Sequence, residues 1–245
     1  THVHFRDPGH PAKESWATGS LEALRGGVTT VLDMPNTNPP TLDPASVADK
    51  LSRAAKDSVV NYGVWVGASS QSIPHITDLW DSGQVCGTKV FMGDSTGALG
   101  VTPEVLEAVF TQTTGLIGVH AEDQPTLEAA RAKWEGTERP VHNDVRPAEA
   151  SVQAVKTLIE LVKQTRRNVH ICHISTAGEM AALDPHRGDL PITSEVSPHH
   201  LFLSQENAGA LGNLIKVNPP VRTELDRRAM MAALKRGRLD TFGSD

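Results

Sequence analysis

Short runs of β-branched and apolar residues alternate along the chain with longer segments whose apolar positions recur every three or four residues. The runs are Val28–Met34 (VTTVLDM), Asn61–Ala68 (NYGVWVGA), Gly87–Met92 (GTKVFM), Leu116–His120 (LIGVH), Asn168–Ile174 (NVHICHI), Pro191–Ser197 (PITSEVS) and Leu239–Asp245 (LDTFGSD). They are too short for helices and mostly apolar rather than alternating, the mark of strands buried on both faces. The opening segment, Thr1–Arg6, reads as the end of a further strand. There His2, His4 and Arg6 alternate with Val3 and Phe5, so period-two geometry puts both imidazoles and the guanidinium on one side.

Between these runs the spacing predicts helices. Lys13–Arg25 has Trp16, Leu21 and Leu24 on its apolar side and is stopped by Gly26-Gly27. Pro44–Ser58 follows Asp43 as a candidate N-cap, and a helix after Thr102 has Pro103 in its first turn. Asp123–Trp134, Pro147–Thr165, Ala177–Leu183 and Glu224–Arg236 also read as helices, and Ser72–Asp81 as a poorly formed one. Loops are expected at 7–11, 35–40 and 93–100, with a polar segment around 135–146 and a short extended piece at 216–222. Strand and helix thus alternate throughout, which implies parallel βα units. Eight units of about thirty residues fit a closed (β/α)8 TIM-type barrel. An open doubly wound sheet is the competing architecture. It favours a Gly-x-Gly-x-x-Gly turn after the first strand, where this chain has Asp7-Pro8-Gly9-His10. The chain begins inside one apparent strand and ends with another, so the barrel is expected to be a fragment, incomplete at both termini.

A barrel of this kind carries its chemistry at the carboxyl ends of its strands. His2 and His4 lie there on the first strand, Lys89 on the fourth, His120 on the fifth, His173 on the sixth and Asp245 on the eighth. Neutral imidazoles two residues apart on a strand suit one metal ion, and an arginine just beyond them suits a carboxylate. A polar strand end with incidental histidines is the alternative for the His-x-His pattern alone. Asp245 as a helix N-cap is the alternative for the last residue. Lys89 is either paired with a barrel carboxylate such as Asp94 or Glu122, or neutral and carboxylated to an anionic carbamate able to bridge two metals. His170 reads as outward-facing or structural, Asp33 as a hydrogen-bond partner, and the phase of His199 and His200 is ambiguous.

Composition narrows the classes. The net charge is −6, without a Lys/Arg-rich tract, so a nucleic-acid partner has little support. No apolar run approaches the ~18 residues of a membrane span. The two cysteines, Cys86 and Cys172, form no Cys-x-x-Cys, which favours a reducing, cytoplasmic setting. Eleven histidines, several beside β-branched runs, raise the case for a metal site.

The ordered set of motifs His-Val-His-Phe-Arg-Asp-Pro-Gly (2–9), Met-Pro-Asn-Thr (34–37), Gly-Thr-Lys-Val-Phe-Met (87–92), Val-His-Ala-Glu (119–122), His-Ile-Cys-His (170–173), Pro-His-His-Leu-Phe-Leu (198–203), Val-Asn-Pro-Pro-Val-Arg (217–222) and Gly-Ser-Asp (243–245) resembles the amidohydrolase superfamily. Within it, the resemblance is to dihydroorotases of the large type. It spans nearly the whole chain and implies one metal-dependent barrel over 1–245, without the last helix and the terminal β-sandwich of that family. It implies a binuclear zinc centre bridged by hydroxide. His2 and His4 would hold one metal, His120 and His173 the other, and carboxylated Lys89 would bridge them. Asp245 would bind the first metal and move protons. Some dihydroorotases bridge with an aspartate instead, which brings in Asp94, Glu122 or Asp123.

For substrate, the resemblance implies that Arg6 and Asn36 contact the carboxylate of dihydroorotate, with Asn218 near the ring. The product is N-carbamoyl-aspartate, in pyrimidine biosynthesis. Related enzymes that open hydantoin or allantoin rings share the metals but generally lack the arginine at the position of Arg6. A catalytically silent scaffold for aspartate transcarbamoylase is a further alternative. The implied partners are the substrate and either a second copy of the chain or that transcarbamoylase.

Overall fold

The structure, a computed structural model, describes residues 1–94, 99–136, 141–207 and 210–245. The expected loop at 93–100 and the polar segment at 135–146 therefore lie partly outside the described residues. The chain divides into two compact units. One comprises Thr1–Phe91, Ser95–Gly118 and Ser244–Asp245, the other Met92–Asp94 and Val119–Gly243.

The first unit runs α1 (Trp16–Arg25), β1 (Thr30–Asp33), α2 (Pro44–Asp57), β2 (Asn61–Val64), β3 (Val66–Gly67), α3 (Ile73–Asp81), β4 (Thr88–Phe91) and α4 (Pro103–Gln112). Its ladders are parallel: Thr30 pairs with Asn61 and Asp33 with Val64, while Val66 pairs with Thr88 and Gly67 with Lys89. The expected strand at 61–68 is two strands with different partners. At the break, the Trp65 N–H donates to Asp33 O, and Val66 then turns its N–H to Gly87 O. The opening segment makes only one bridge, Val3 to Asp33, and leaves the extended region at Arg6, whose φ is 59°. Every residue of β4 is buried, Thr88 and Lys89 included.

Caps set the helix ends. Ser15 accepts from the Thr18 N–H, so α1 starts at Trp16 and not at Lys13. Asp43 and Ser46 cap each other reciprocally at α2, an arrangement worth about 1 kcal/mol. The segment expected to be poorly formed is a regular helix, α3, with Pro74 in its first turn and Ile76 and Leu79 buried. Thr102 caps α4 as the sequence predicts.

The strand β5 (Ile117–His120) leads into the second unit. There follow α5 (Gln124–Ala132), α6 (His142–Val145), α7 (Ala148–Thr165), β6 (Val169–Ile171), α8 (Ala177–Leu183), β7 (Ile192–Val196), α9 (Pro198–Phe202), α10 (Glu224–Lys235) and β8 (Thr241–Phe242). The ladders are again parallel, with Val169 opposite Ile192 and Glu195 opposite Thr241. The Cys172 N–H donates to Val119 O at 3.0 Å, tying the end of β6 to β5. The 216–222 piece is not a strand, and Pro198-His199-His200 opens α9. Gly243, just past β8, has a specific reason to be glycine. A Cβ there would lie 2.4 Å from both carboxylate oxygens of Glu195. No described helix is long and apolar enough to cross a membrane.

Candidate metal centre

In the first unit, three side chains point donor atoms at one spot. His2 Nε2 lies 3.1 Å from His4 Nε2, His2 Nε2 lies 3.2 Å from Asp245 Oδ1, and His4 Nε2 lies 2.9 Å from the same oxygen. Asp245 reaches this spot because its backbone N–H and the Ser244 hydroxyl both donate to His2 O. Its φ of 61° is a left-handed conformation that aspartate tolerates better than most residues.

The triangle fits a metal ion. Two imidazole lone pairs 3.1 Å apart repel unless a proton or cation lies between them. Zinc with ligand bonds of ~2.0–2.1 Å has tetrahedral edges of about 3.4 Å, close to all three separations. The His4 Nδ1–H donates to Asn36 Oδ1 at 2.7 Å, which leaves Nε2 as the lone-pair atom facing His2 and Asp245. Burial, opposed by the Asp245 hydrogen bond and reinforced by the charges of His2 and Arg6, holds His4 below its ordinary pKa. Neutral imidazole is the ligand form. These three residues therefore form a group able to hold one metal ion.

Asn36 and Arg6 sit beside this triangle. Asn36 is buried, with its side chain on His4. Arg6 donates from Nη1 to Asn36 O at 3.1 Å. Asp33 accepts the Phe5 N–H at 2.7 Å on one oxygen and faces Lys50 Nζ at 2.6 Å on the other. Lys89 is buried inside β4, not at its end, with Nζ 5.2 Å from the centroid of the Phe91 ring.

The second unit holds a second donor pair. His120 Nδ1 lies 3.1 Å from His173 Nε2, with the rings at 80°. The φ of His173 is 38° and its N–H donates to Glu195 Oε1. His120 Nε2 donates to Glu122 Oε2 at 2.9 Å. Arg146 Nε donates to both oxygens of Glu122, at 3.3 and 3.1 Å, and its Nη2 adds a further bond to Oε2. Burial alone would raise the Glu122 carboxyl. The hydrogen bond from His120, with the charge and hydrogen bonds of Arg146, outweighs it and holds the group down at about 2.

The other acidic candidates have local duties: Asp94 is exposed and pairs with Arg131 at 3.2 Å, while Asp123 caps α5 through the Thr126 N–H. His170 is buried against Thr193 and Glu195, a structural position. Asn218 hydrogen-bonds the side chain of His142. Sequence reasoning missed Arg146 altogether. Its only signal was an arginine beside Pro147 in an otherwise polar segment.

The chain thus combines a parallel βα order with a His-x-His segment on which a carboxylate closes. The amidohydrolase family matches the chain over residues 1–245, and the chain belongs to that family. Among its curated relatives are the dihydroorotases of Methanosarcina acetivorans, 35% identical over all of this chain and 54% of that protein, and of Halobacterium salinarum, 36% identical over all of this chain and 57% of that one. The chain thus spans little more than half the length of these relatives. Its fold is that of the L-hydantoinase (dihydropyrimidinase) of Arthrobacter aurescens, with a TM-score of 0.92 at 24% identity over all of this chain and 56% of that one. The architecture is accordingly a partial (β/α)8 barrel.

Proposed function

We propose that this chain carries the catalytic centre of a zinc-dependent dihydroorotase, interconverting dihydroorotate and N-carbamoyl-aspartate in pyrimidine biosynthesis. The observation that carries the reading is the donor triangle of His2, His4 and Asp245, in a chain whose curated relatives are dihydroorotases at 35% identity. In this reading those three residues hold one zinc ion, and His120 and His173 hold a second. Lys89 is the carbamate-bearing ligand, a role that rests on the family resemblance. Bound zinc lowers the pKa of a coordinated water toward neutrality and polarises the ring carbonyl.

The chain's own residues supply the rest. Asp245 accepts the proton of the attacking oxygen and hands it to the ring nitrogen that leaves. Arg6 has five N–H donors, one of them placed on Asn36 O. The others, with the Asn36 amide nitrogen, meet the substrate carboxylate and align the ring. The role of Asn218 near the ring rests, like that of Lys89, on the family resemblance. Location in the cytoplasm, and association with a second copy or with aspartate transcarbamoylase, belong to the same proposal.

The test is turnover of dihydroorotate by the complete zinc-loaded protein, beside hydantoin and allantoin. Selective opening of dihydroorotate supports the reading. Turnover of hydantoin or allantoin instead keeps the metal chemistry and replaces the substrate. Zinc binding with no turnover of any ring favours the silent scaffold.

A further inference from the structure

The second unit buries more charge than a pair of metal-binding imidazoles needs. Glu122, Arg146, Glu179 and Arg222 are all buried. Glu179 is accounted for by the cap of α8, where it accepts from the backbone and hydroxyl groups of Ser175 and Thr176. Glu122 caps no helix. It stands two residues beyond His120, and its Oε2 takes the His120 Nε2–H at 2.9 Å.

A carboxylate is an acceptor only. Contact with Glu122 therefore puts the ring hydrogen of His120 on Nε2 and leaves Nδ1 as the lone-pair atom. That is the atom facing His173 Nε2 at 3.1 Å. The carboxylate cannot swing away, because Arg146 grips both its oxygens. Arg146 is held in turn by Arg222, which donates from Nη1 to Arg146 O and from Nη2 to Ser151 Oγ. The chain of contacts runs from a buried arginine through a carboxylate to one nitrogen of one ring.

We propose that Glu122 is the positioning residue of His120, and that Arg146 holds it so that Nδ1 is the atom His120 offers to a metal. The inference rests on the proposed ligand role of His120 and His173. It gives the His-Ala-Glu sequence a purpose: the glutamate selects the tautomer of the histidine two places before it.

Glu122→Gln tests the idea with little change of volume. A glutamine must point its oxygen at Arg146 or at His120. The Arg146 donors claim it, so the amide N–H turns toward His120 Nε2 and drives the ring hydrogen to Nδ1. Three measurements on the complete protein decide the matter. First, 15N spectra of the metal-free wild type, labelled at histidine, should show His120 as the Nε2–H tautomer; the Nδ1–H form overturns the proposal without any variant. Second, E122Q should show Nδ1–H. Third, with zinc alone as the probe in competition with a chelator, E122Q should bind the metal at His120 and His173 ten- to a hundredfold more weakly, with the first metal unchanged. Unchanged affinity and tautomer in E122Q would overturn the proposal while leaving the ligand role intact. Full retention of both metals by His120→Ala would overturn the ligand role and the proposal together.

Discussion

Lys50→Met probes how the His-x-His segment is held. Lys50 and Asp33 are both 0% exposed, and their charged atoms are 2.6 Å apart. At an effective dielectric of 20, that separation corresponds to about 6 kcal/mol of attraction, set against several kcal/mol of desolvation for each ion. The pair as a whole is thus close to neutral for stability. Removing one partner is not, because it strands the other charge in the core at a cost of roughly 3–5 kcal/mol. The stranded group would be Asp33, whose other oxygen holds the Phe5 N–H at 2.7 Å, next to His4. Urea unfolding of wild type, K50M, D33N and the double variant, followed by circular dichroism, measures both terms. K50M should lose roughly 3–5 kcal/mol, and the double variant clearly less than the two single losses added together. A K50M loss under about 1 kcal/mol, or strict additivity, would show that the two charges are not coupled and refute the reasoning.

Other expectations follow from single contacts. Burial pushes the Cys86 thiol up to about 12 from an ordinary 9.0, so at pH 8 it carries roughly a thousandfold less thiolate than a free thiol. Iodoacetamide followed by mass spectrometry should leave it unmodified until the protein is unfolded. Because the unfolded chain ionises this thiol first, its contribution to stability is fully present below pH 9 and is lost as the pH climbs toward 12. Arg6→Ala should keep its metal, by elemental analysis, while losing most turnover of dihydroorotate; loss of metal would count against separate roles for Arg6 and the histidines. Gly243→Ala places a methyl 2.4 Å from the Glu195 carboxylate oxygens and should cost at least ~1–3 kcal/mol, read as a lower midpoint in thermal unfolding.

Much of this was legible in the residues. Asp43 and Thr102 cap the helices that the sequence assigned to them, because a cap is a contact between residues three apart. The short, mostly apolar runs became strands such as β4 and β5, buried at every position. The errors were also local in origin. The 61–68 run looked like one strand because nothing within it records that Asn61–Val64 and Val66–Gly67 pair with different neighbours. Ser72–Asp81, read as a poorly formed helix, is a regular one from Ile73, since burial of Ile76 and Leu79 compensates for weak propensity.

The sequence by itself determined the βα order, the helix caps, and a pair of histidines two apart that project together. Those properties depend on neighbours within one turn or one pleat. The tertiary structure alone decided that Ser244 and Asp245 return to His2 across 242 positions of chain. It also decided which nitrogen each imidazole presents: His4 is set by Asn36 and His120 by Glu122. A ring tautomer and a buried charge answer to whatever lies within about 3 Å through space, and packing, not spacing along the chain, puts it there.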